Sequence, residues 1–217
     1  KVLGKGRKIN RGSSQLIRKN SLGHRFSSIH SLAQPETLNS LLTQDFRTQK
    51  AANRFVEGFN EGNISSTDRM FRSDLTSYLP GDLLVKADLA TMANGLELRS
   101  PMLDVNVVEW GLSLPKEFKI QGLEAKHILK DVARSLVPAQ LVDRPKMGFG
   151  IPRGEWLRTG MKDLVIDTLM DSTASQRGWF NQVEVKRAVD LHMAGEDTDN
   201  LIWPMLMLEL WARTWLD

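Results

Sequence analysis

Residues 95–104, GLELRSPMLD, place opposite charges at alternate positions between two mostly apolar segments. Side chains two apart in an extended chain share a face, so Glu97 and Arg99 are predicted to emerge on the same side. One interpretation is a structural ion pair that covers the joint between two buried helices. The other is a carboxylate held near a cation at a helix terminus, where a general base or a substrate clamp can form. The pattern alone favours the ion pair and leaves the second interpretation open.

A second candidate lies in residues 144–152, RPKMGFGIP, which the glycines and prolines predict to be an irregular loop. Lys146 precedes Gly148 and Gly150, so an ammonium group stands beside backbone that a ligand can approach closely. Exposed N–H groups and a cation are what a polyphosphate requires. A single Gly-x-Gly is a weak signal, and on this pattern alone a connector with a surface lysine is favoured over a phosphate site.

Other kinds of site find little support in the sequence. The four histidines lie far apart, and EDTDN at 196–200 lacks the glycine and the closing glutamate of a calcium loop, so no metal site is predicted. The absence of cysteine excludes disulfides, cysteine-based zinc sites and a thiol nucleophile. No Gly-x-Ser-x-Gly motif suggests a serine nucleophile.

The composition is that of a soluble globular protein, with 217 residues, 41% hydrophobic and 25% charged. No apolar run approaches 18 residues and no signal peptide is recognisable, so we predict a cytoplasmic protein without a membrane span. Residues 1–35 contain eight Lys or Arg and no acid, although the net charge is only +3. We interpret this segment as a solvated arm, or a strip that packs on another surface, rather than as a nucleic-acid arm.

Nearly all periodic segments have helical spacing. Pro80–Gly81 is predicted to break the chain, with Asp82 as the next N-cap and Asn94–Gly95 as the C-cap. Asp104 is predicted to cap the following helix, and Pro204 to distort the last one. Strand-like sequence occurs only at 96–99 and 118–120. The predicted helices span 35–46, 67–79, 82–94, 105–114, 124–137, 161–172, 182–194 and 200–216. The pattern fits an all-α domain or the helical part of something larger.

Four stretches taken together resemble one family. They are YLPGDLLVKADLATMANGLELRSPMLD, AKHILKDVARSLVP, RPKMGFGIPRGEWLR and LIWPMLMLELWARTWL, in the order and at about the spacing found in glutamine-dependent asparagine synthetases and their relatives, which include β-lactam synthetases. The likeness is specific from Tyr78 onward and general before it. It implies a mainly α chain that is the helical C-terminal portion of an α/β pyrophosphatase-type (adenine nucleotide alpha hydrolase-like, PP-loop) synthetase domain. Residues 1–77 would follow the nucleotide-binding core, and residues 78–217 would form the motif-bearing region.

The resemblance also implies a chemistry. Such enzymes use ATP and Mg2+ to adenylate a carboxylate with release of pyrophosphate, and ammonia from glutamine then attacks to form the amide. The Ser-Gly-Gly-x-Asp-Ser loop of the nucleotide-binding core and the cysteine of the glutaminase domain do not occur here. We therefore expect an incomplete and inactive fragment whose partners are those missing segments and a small-molecule or peptide carboxylate. No nucleic acid or membrane partner is expected, and an exposed apolar face would allow a homodimer.

Site residues follow from the resemblance, position by position. Glu97 and Lys146 match catalytic positions, for the acyl-adenylate step and for support of the phosphates. Gly95 and Leu96 match positions whose backbone lies against the nucleotide. The sequence departs from the family where Leu89 replaces a common arginine, which puts aspartate as the acceptor in doubt. The residues implied to face the substrate are Lys86, Asp88, Arg99 and Lys126. Arg99 is also expected to make a buried salt contact. The Glu97 carboxylate and the Lys146 ammonium group are expected to converge on one cleft. The alternatives are a helical interaction module without catalysis and a relative that closes an amide within its substrate.

Overall fold

A computed structural model describes residues 22–47, 56–60, 62–145 and 150–217. These residues divide into two compact units, each described separately below. The first unit holds residues 22–47 and 150–217, and the second holds residues 56–60 and 62–145. The described part is mostly helical, which confirms the prediction of a mainly α chain. The boundary at residue 77 was drawn from motif content rather than compactness, and it stays a prediction.

The helices and strands follow one another in three groups. The first unit begins with α1 (Leu22–His30), α2 (Pro35–Leu41) and a 3-10 turn (Gln44–Phe46). The second unit contains a helical segment at 56–60, α3 (Ser66–Ser73), a π-helical segment (Asp74–Leu84), α4 (Val85–Met92), a 3-10 turn (Pro101–Leu103), α5 (Val105–Ser113), α6 (Lys116–Lys119), β1 (Ile120–Gln121), β2 (Glu124–Ala125), α7 (His127–Leu136) and α8 (Ala139–Val142). The first unit resumes with α9 (Arg153–Arg158), α10 (Lys162–Leu169), α11 (Ser172–Gln176), α12 (Gln182–Met193) and α13 (Asp199–Trp215).

The core of the first unit is formed where α9, α10, α12 and α13 meet. Their apolar residues recur at helical spacing and are removed from solvent, among them Leu157, Val165, Val185, Ile202 and Leu206. Pro204 lies within α13, and the helix continues through it. A proline is tolerated near a helix start because the first N–H groups have no partner inside the helix. The predicted distortion is therefore not enough to end the helix.

The connection after α2 is tied to the segment before α12. Thr43 N donates to Trp179 O at 3.1 Å, and Asn181 N donates to Leu41 O at 2.8 Å. Asn181 also caps α12 with its side chain, which accepts from Val183 N at 3.1 Å. These bonds attach the N-terminal part of the first unit to its four-helix core.

One prediction about the second unit is wrong. The chain does not break at Pro80–Gly81, because α3, the π-helical segment and α4 run on without interruption from residue 66 to residue 92. Proline removes a backbone donor and clashes with the preceding turn of an α-helix. Here the helix changes to the wider π form around Pro80 instead of ending. Asp82 consequently lies inside a helix and is not an N-cap.

The second unit buries little of its apolar surface. Neither α4 nor α5 contains a buried residue, so the prediction of two buried helices on either side of residues 95–104 is wrong for this structure. Leu89 is 65% exposed and Val105 67% exposed. Lys119 is one of the better covered side chains, since its Nζ donates to Leu112 O at 2.9 Å and lies 3.7 Å from Asp68 Oδ1. Polar contacts thus hold α3, α5 and α6 together.

A short hairpin precedes α7. Strands β1 and β2 are antiparallel, with Ile120 opposite Ala125 and Gln121 opposite Glu124. The strand prediction at 118–120 is confirmed only at its last residue, and residues 96–99 form no strand among the described residues. The hairpin matters because Lys126 links it to α7.

Candidate active site

Gly95 ends α4 with a Schellman motif. Leu96 N donates to Thr91 O at 2.9 Å and Gly95 N donates to Met92 O at 3.0 Å. Gly95 has φ +67°, a left-handed conformation that glycine adopts without a Cβ penalty. The predicted C-cap at Asn94–Gly95 is confirmed. After this turn, residues 96–100, including Glu97, form a connecting segment that is neither helix nor strand.

Asp104 fixes the other end of this connecting segment. Its side chain accepts from Asn106 N at 2.9 Å and caps α5, as predicted. A 3-10 turn at Pro101–Leu103 leads into this cap. Residues 96–100 are therefore held between two helix termini, each fixed by local hydrogen bonds.

Glu97 and Arg99 form an ion pair between Glu97 Oε1 and Arg99 Nη2. Both side chains face solvent, with 70% of Glu97 and 84% of Arg99 exposed. The prediction of a buried salt contact for Arg99 is wrong, because no neighbouring element covers residues 96–100 in the second unit. An exposed pair contributes only about 0–1 kcal/mol. The contact is too weak to explain the motif by stability, and it leaves the carboxylate accessible.

The other predicted residues lie on the surface of the same unit. Lys86 Nζ is 3.9 Å from Asp82 Oδ1, a partly exposed pair one helical turn apart. Asp88 is exposed on α4, and Leu96 is 61% exposed. Lys126 is exposed and immediately precedes α7. Its φ is +63°, and among the described residues it is the only non-glycine residue with a left-handed backbone. Among the described site residues that the sequence predicts, only Glu97 and Arg99 form an ion pair with each other.

Lys146 lies outside the described residues. The predicted convergence of its ammonium group with the Glu97 carboxylate on one cleft therefore stays a prediction. The described chain stops at Pro145 and resumes at Gly150.

Sequence reasoning missed one feature near these residues, a set of charged side chains around the start and end of α7 and α8. We call it the Arg134 cluster. In it, hydrogen bonds from His127, Arg134 and Lys130 hold the pKa of Glu124 at about 2, below its ordinary 4.5. Arg134 also lowers the pKa of Asp143 by hydrogen bonding. The cluster comprises Glu124, His127, Lys130, Asp131, Arg134 and Asp143.

Other kinds of site find little support in the described residues. They contain no group of three or more His, Asp or Glu side chains arranged to hold a metal ion. None of their helices is long and apolar enough to cross a lipid bilayer. An open groove of about 510 Å³ lies in the second unit between the start of α3 and the α5–α6 connection. None of the predicted site residues lines it.

Comparisons with known proteins agree with the family that the sequence motifs resemble. The asparagine synthase family model matches residues 5–213. A protein of Mycobacterium tuberculosis named "Putative asparagine synthetase (glutamine-hydrolyzing)" is 40% identical over 151 residues, which are 69% of this chain and 23% of that protein. Asparagine synthetase (glutamine-hydrolyzing) 1 of Bacillus subtilis is 32% identical over 150 residues, 69% of this chain and 23% of its own length.

A more distant relative extends the range of organisms. Asparagine synthetase (glutamine-hydrolyzing) of Rattus norvegicus is 38% identical over 114 residues, 48% of this chain and 20% of that protein. This chain thus spans less than a quarter of the length of these three relatives. No solved structure matches it significantly.

Proposed function

This chain belongs to the asparagine synthase family, and from that premise we propose that it is part of an ATP-dependent ligase that forms an amide. The proposed reaction is adenylation of a carboxylate with release of pyrophosphate, followed by attack of ammonia derived from glutamine. The observation that carries the proposal is the exposed Glu97 carboxylate, held on the connecting segment between two capped helix ends. Exposed glutamates on unconstrained loops are common, but one fixed at both sides has a defined position from which to act.

Within this proposal the described residues have separate tasks. Glu97 acts near the acyl-adenylate as a positioned carboxylate, a role that commonly accelerates a reaction about a hundred- to ten-thousandfold. Gly95 and Leu96 offer backbone to the nucleotide, and a Cβ built on Gly95 would have no atom within 4 Å, so the space beside it is open. Lys86, Asp88, Arg99 and Lys126 are proposed to face the carboxylate substrate or the intermediate.

Lys146 is proposed to support the charge that develops on the phosphates. A preorganised cation of this kind is commonly worth about 3–4 kcal/mol of transition-state stabilisation. ATP supplies the leaving pyrophosphate when bound, and Mg2+ accompanies its phosphates. The described side chains offer no metal-binding cluster of their own.

We further propose that the chain is the helical C-terminal portion of a PP-loop α/β domain. The apolar side chains left exposed on the second unit support this, because isolated domains rarely expose so many large hydrophobic residues in one region. Exposed examples on α4, α5 and α7 include Leu89, Met92, Val105, Trp110, Val132 and Leu136. Such surfaces require another layer, and the nucleotide-binding core is the layer that the family would provide. A cytoplasmic location fits a reaction that uses ATP and a chain without cysteine.

The proposal is tested by carboxylate-dependent ATP–pyrophosphate exchange in the protein encoded by the complete reading frame. We expect Lys146→Ala to abolish exchange while glutaminase activity persists, and Glu97→Gln to lower exchange at least about a hundredfold. Two exposed residues provide matched controls, since Lys162→Ala and Glu117→Gln remove the same kinds of group from α10 and α6. Exchange that is unchanged in Lys146→Ala would count against the assignment.

The two alternatives give different outcomes in the same experiment. A helical interaction module without catalysis predicts no exchange in the complete protein with any carboxylate. A relative that closes an amide within its substrate predicts exchange and a product that incorporates no ammonia. Leu89, in place of the family's common arginine, leaves the acceptor carboxylate to be identified by the substrate screen.

A further inference from the structure

The guanidinium of Arg134 lies among three carboxylates from different parts of the second unit. Nε donates to Asp143 Oδ2 at 3.3 Å, and Nη2 donates to Asp143 Oδ1 at 2.7 Å. Nη2 also donates to Glu124 Oε1 at 2.6 Å, and Nη1 donates to Asp131 Oδ1 at 2.7 Å. All three nitrogens are used. One side chain thereby joins the hairpin strand β2, helix α7 and the chain that follows α8.

The geometry of this contact is specific to arginine. Arg134 engages Asp143 with two parallel hydrogen bonds, an arrangement that a planar guanidinium permits and an ammonium group does not. The side chain is 29% exposed, so solvent screens these contacts less than it screens an open surface pair. The hydrogen bonds that Arg134 donates to Asp143 and then to Glu124 raise the pKa of Arg134 above its ordinary value. The cluster is a fixed joint rather than a transient surface contact.

Two of the three carboxylates stand just before predicted site lysines. Glu124 is two residues before Lys126, and Asp143 is three residues before Lys146. A second hydrogen bond holds Glu124, because His127 Nδ1 donates to Glu124 Oε2 at 2.9 Å. His127 follows Lys126 directly in the sequence, so this bond spans Lys126. These contacts fix the chain on both sides of Lys126.

The backbone of Lys126 explains why such a joint is needed. Its φ of +63° is left-handed, and a residue with a Cβ loses about 1–2 kcal/mol in that conformation. A strained residue persists only where its surroundings over-determine it. Glu124 constrains the chain before Lys126, and α7 constrains the chain after it. Arg134, a residue of α7, links the two through its hydrogen bond to Glu124.

We propose that Arg134 is a positioning residue for the adenylation step, which rests on the function proposed above. It touches no substrate. Through Glu124 it fixes the chain that leads into Lys126. Catalysis by a positioned cation depends on its placement, and a displacement of about 1 Å can cost about a hundredfold in rate.

The test is Arg134→Lys in the complete protein. Lysine keeps the charge but cannot bind Asp143 through two bonds and reach Glu124 and Asp131 together. We expect kcat for ATP–pyrophosphate exchange to fall about 10- to 100-fold with little change in the KM for ATP, because the placement of charge in the transition state is lost rather than ground-state binding. Asp143→Asn should act in the same direction, and the double variant should be less impaired than the product of the two effects.

Arg213 provides the matched control. Its side chain is 32% exposed and, like Arg134, has three partners, with Nε donating to Glu209 Oε1 at 3.0 Å and Nη2 to Thr168 O at 3.1 Å and Asp171 Oδ2 at 3.0 Å. It lies in the first unit, which carries no predicted site residue. Arg213→Lys should lower the melting temperature yet leave kcat per folded molecule unchanged.

Three outcomes separate the possibilities. A drop in kcat with Arg134→Lys and not with Arg213→Lys supports positioning. Equal kcat per folded molecule in Arg134→Lys and in the unsubstituted protein would overturn it while leaving the proposed function intact. Absence of exchange in the unsubstituted protein would overturn the proposed function itself, and this inference with it. Acylation of Lys126 followed by mass spectrometry adds a readout independent of activity, since Arg134→Lys should change its rate and Arg213→Lys should not.

Discussion

The two units of this chain are both helical, but they differ in how much of their apolar surface they bury. In the first unit, apolar residues of α9, α10, α12 and α13 are removed from solvent, with Leu157, Ile202 and Leu206 each 0% exposed. In the described part of the second unit, the buried apolar residues are Val56 and Phe59 alone. The first unit holds itself together by its core, whereas the second presents its apolar surface outward.

Charge is distributed in the opposite way. The first unit buries Glu209, which accepts from Arg177 Nε at 2.7 Å and from Arg213 Nε at 3.0 Å. The second unit keeps its charges near the surface, in the exposed Glu97–Arg99 pair and in the Arg134 cluster. The first unit therefore buries charge within its helical core, whereas the second unit leaves charge where another molecule can reach it.

Removing the Glu209 carboxylate is expected to cause the largest loss of stability in the first unit. Glu209→Ala leaves two guanidinium groups without their buried partner, and breaking a buried ion pair costs about 3–5 kcal/mol. The matched control is Asp190→Ala, which removes one member of the exposed Lys186–Asp190 pair on α12 and should change stability by about 0–1 kcal/mol.

Urea unfolding followed by tryptophan fluorescence measures both variants, because five of the six tryptophans lie in the first unit. Equal free energies of unfolding for Glu209→Ala and Asp190→Ala would mean that the buried network does not anchor the unit.

A leucine truncation tests the contrast between the two units directly. Leu157 is 0% exposed in α9, and Leu136 is 77% exposed at the end of α7. Leu157→Ala should destabilise the protein by about 2–5 kcal/mol through lost transfer energy and a residual cavity. Leu136→Ala should change the free energy of unfolding by no more than about 0.5 kcal/mol unless another layer covers it.

The leucine pair also sharpens the proposal about a missing layer. If the nucleotide-binding core covers α7 in the complete protein, Leu136→Ala should become costly there and stay neutral in the 217-residue chain. Thermal unfolding of both forms provides the measurement. A neutral Leu136→Ala in both forms would show that this part of α7 faces solvent throughout.

Local chemistry in the sequence predicted local structure well. The cap at Asp104 and the helix end at Asn94–Gly95 follow from side-chain and backbone preferences of one or two residues, and both are confirmed. The same kind of reasoning failed at Pro80–Gly81, because a proline can be accommodated by a change of helix type that its neighbours decide. The preference of one residue determines a helix terminus only when the neighbouring residues do not allow the helix to continue in another form.

Contacts between distant residues were harder to predict. Arg134 lies nine residues from Asp143 and ten from Glu124, so no helical or strand period brings them together. The burial around residues 95–104 was also misjudged, since an apolar helix signals a partner surface but not whether that surface is present. The convergence of Glu97 with Lys146 stays a prediction. The sequence identified motif residues through their resemblance to a family and did not reveal the joint that holds them.

A glycine substitution tests how firmly the site segment is fixed. Gly95→Ala places a Cβ on a left-handed residue and should destabilise the second unit by about 1–2 kcal/mol. Gly111→Ala is the matched control, because Gly111 lies inside α5 with open space where a Cβ would stand. There the same change should stabilise by about 0.5–1 kcal/mol. Thermal unfolding that shows the same sign for both would contradict the left-handed geometry at Gly95.

The smallest predicted effect is on pH dependence, and it concerns the Arg134 cluster. The pKa of Glu124 is about 2 in the folded protein and near 4.5 ordinarily, chiefly because His127 and then Arg134 and Lys130 donate hydrogen bonds to it. A carboxylate with a depressed pKa contributes stability that is fully present above its unfolded value and is lost as the pH falls through the folded one. Amide protection factors, which correct for the pH dependence of intrinsic exchange, should therefore fall in the hairpin and α7 between about pH 4.5 and pH 2.

Glu124→Gln isolates that contribution. The variant removes the titrating group, so the pH dependence of amide protection in this window should shrink to what Asp143 provides, whose pKa Arg134 also lowers. The first unit should show no matching change with Glu124→Gln, because the cluster belongs to the second unit alone. A carboxyl titration of Glu124 near its ordinary value, followed by NMR, would mean that the three donors do not hold it. The joint proposed to place Lys126 would then be too loose for that task.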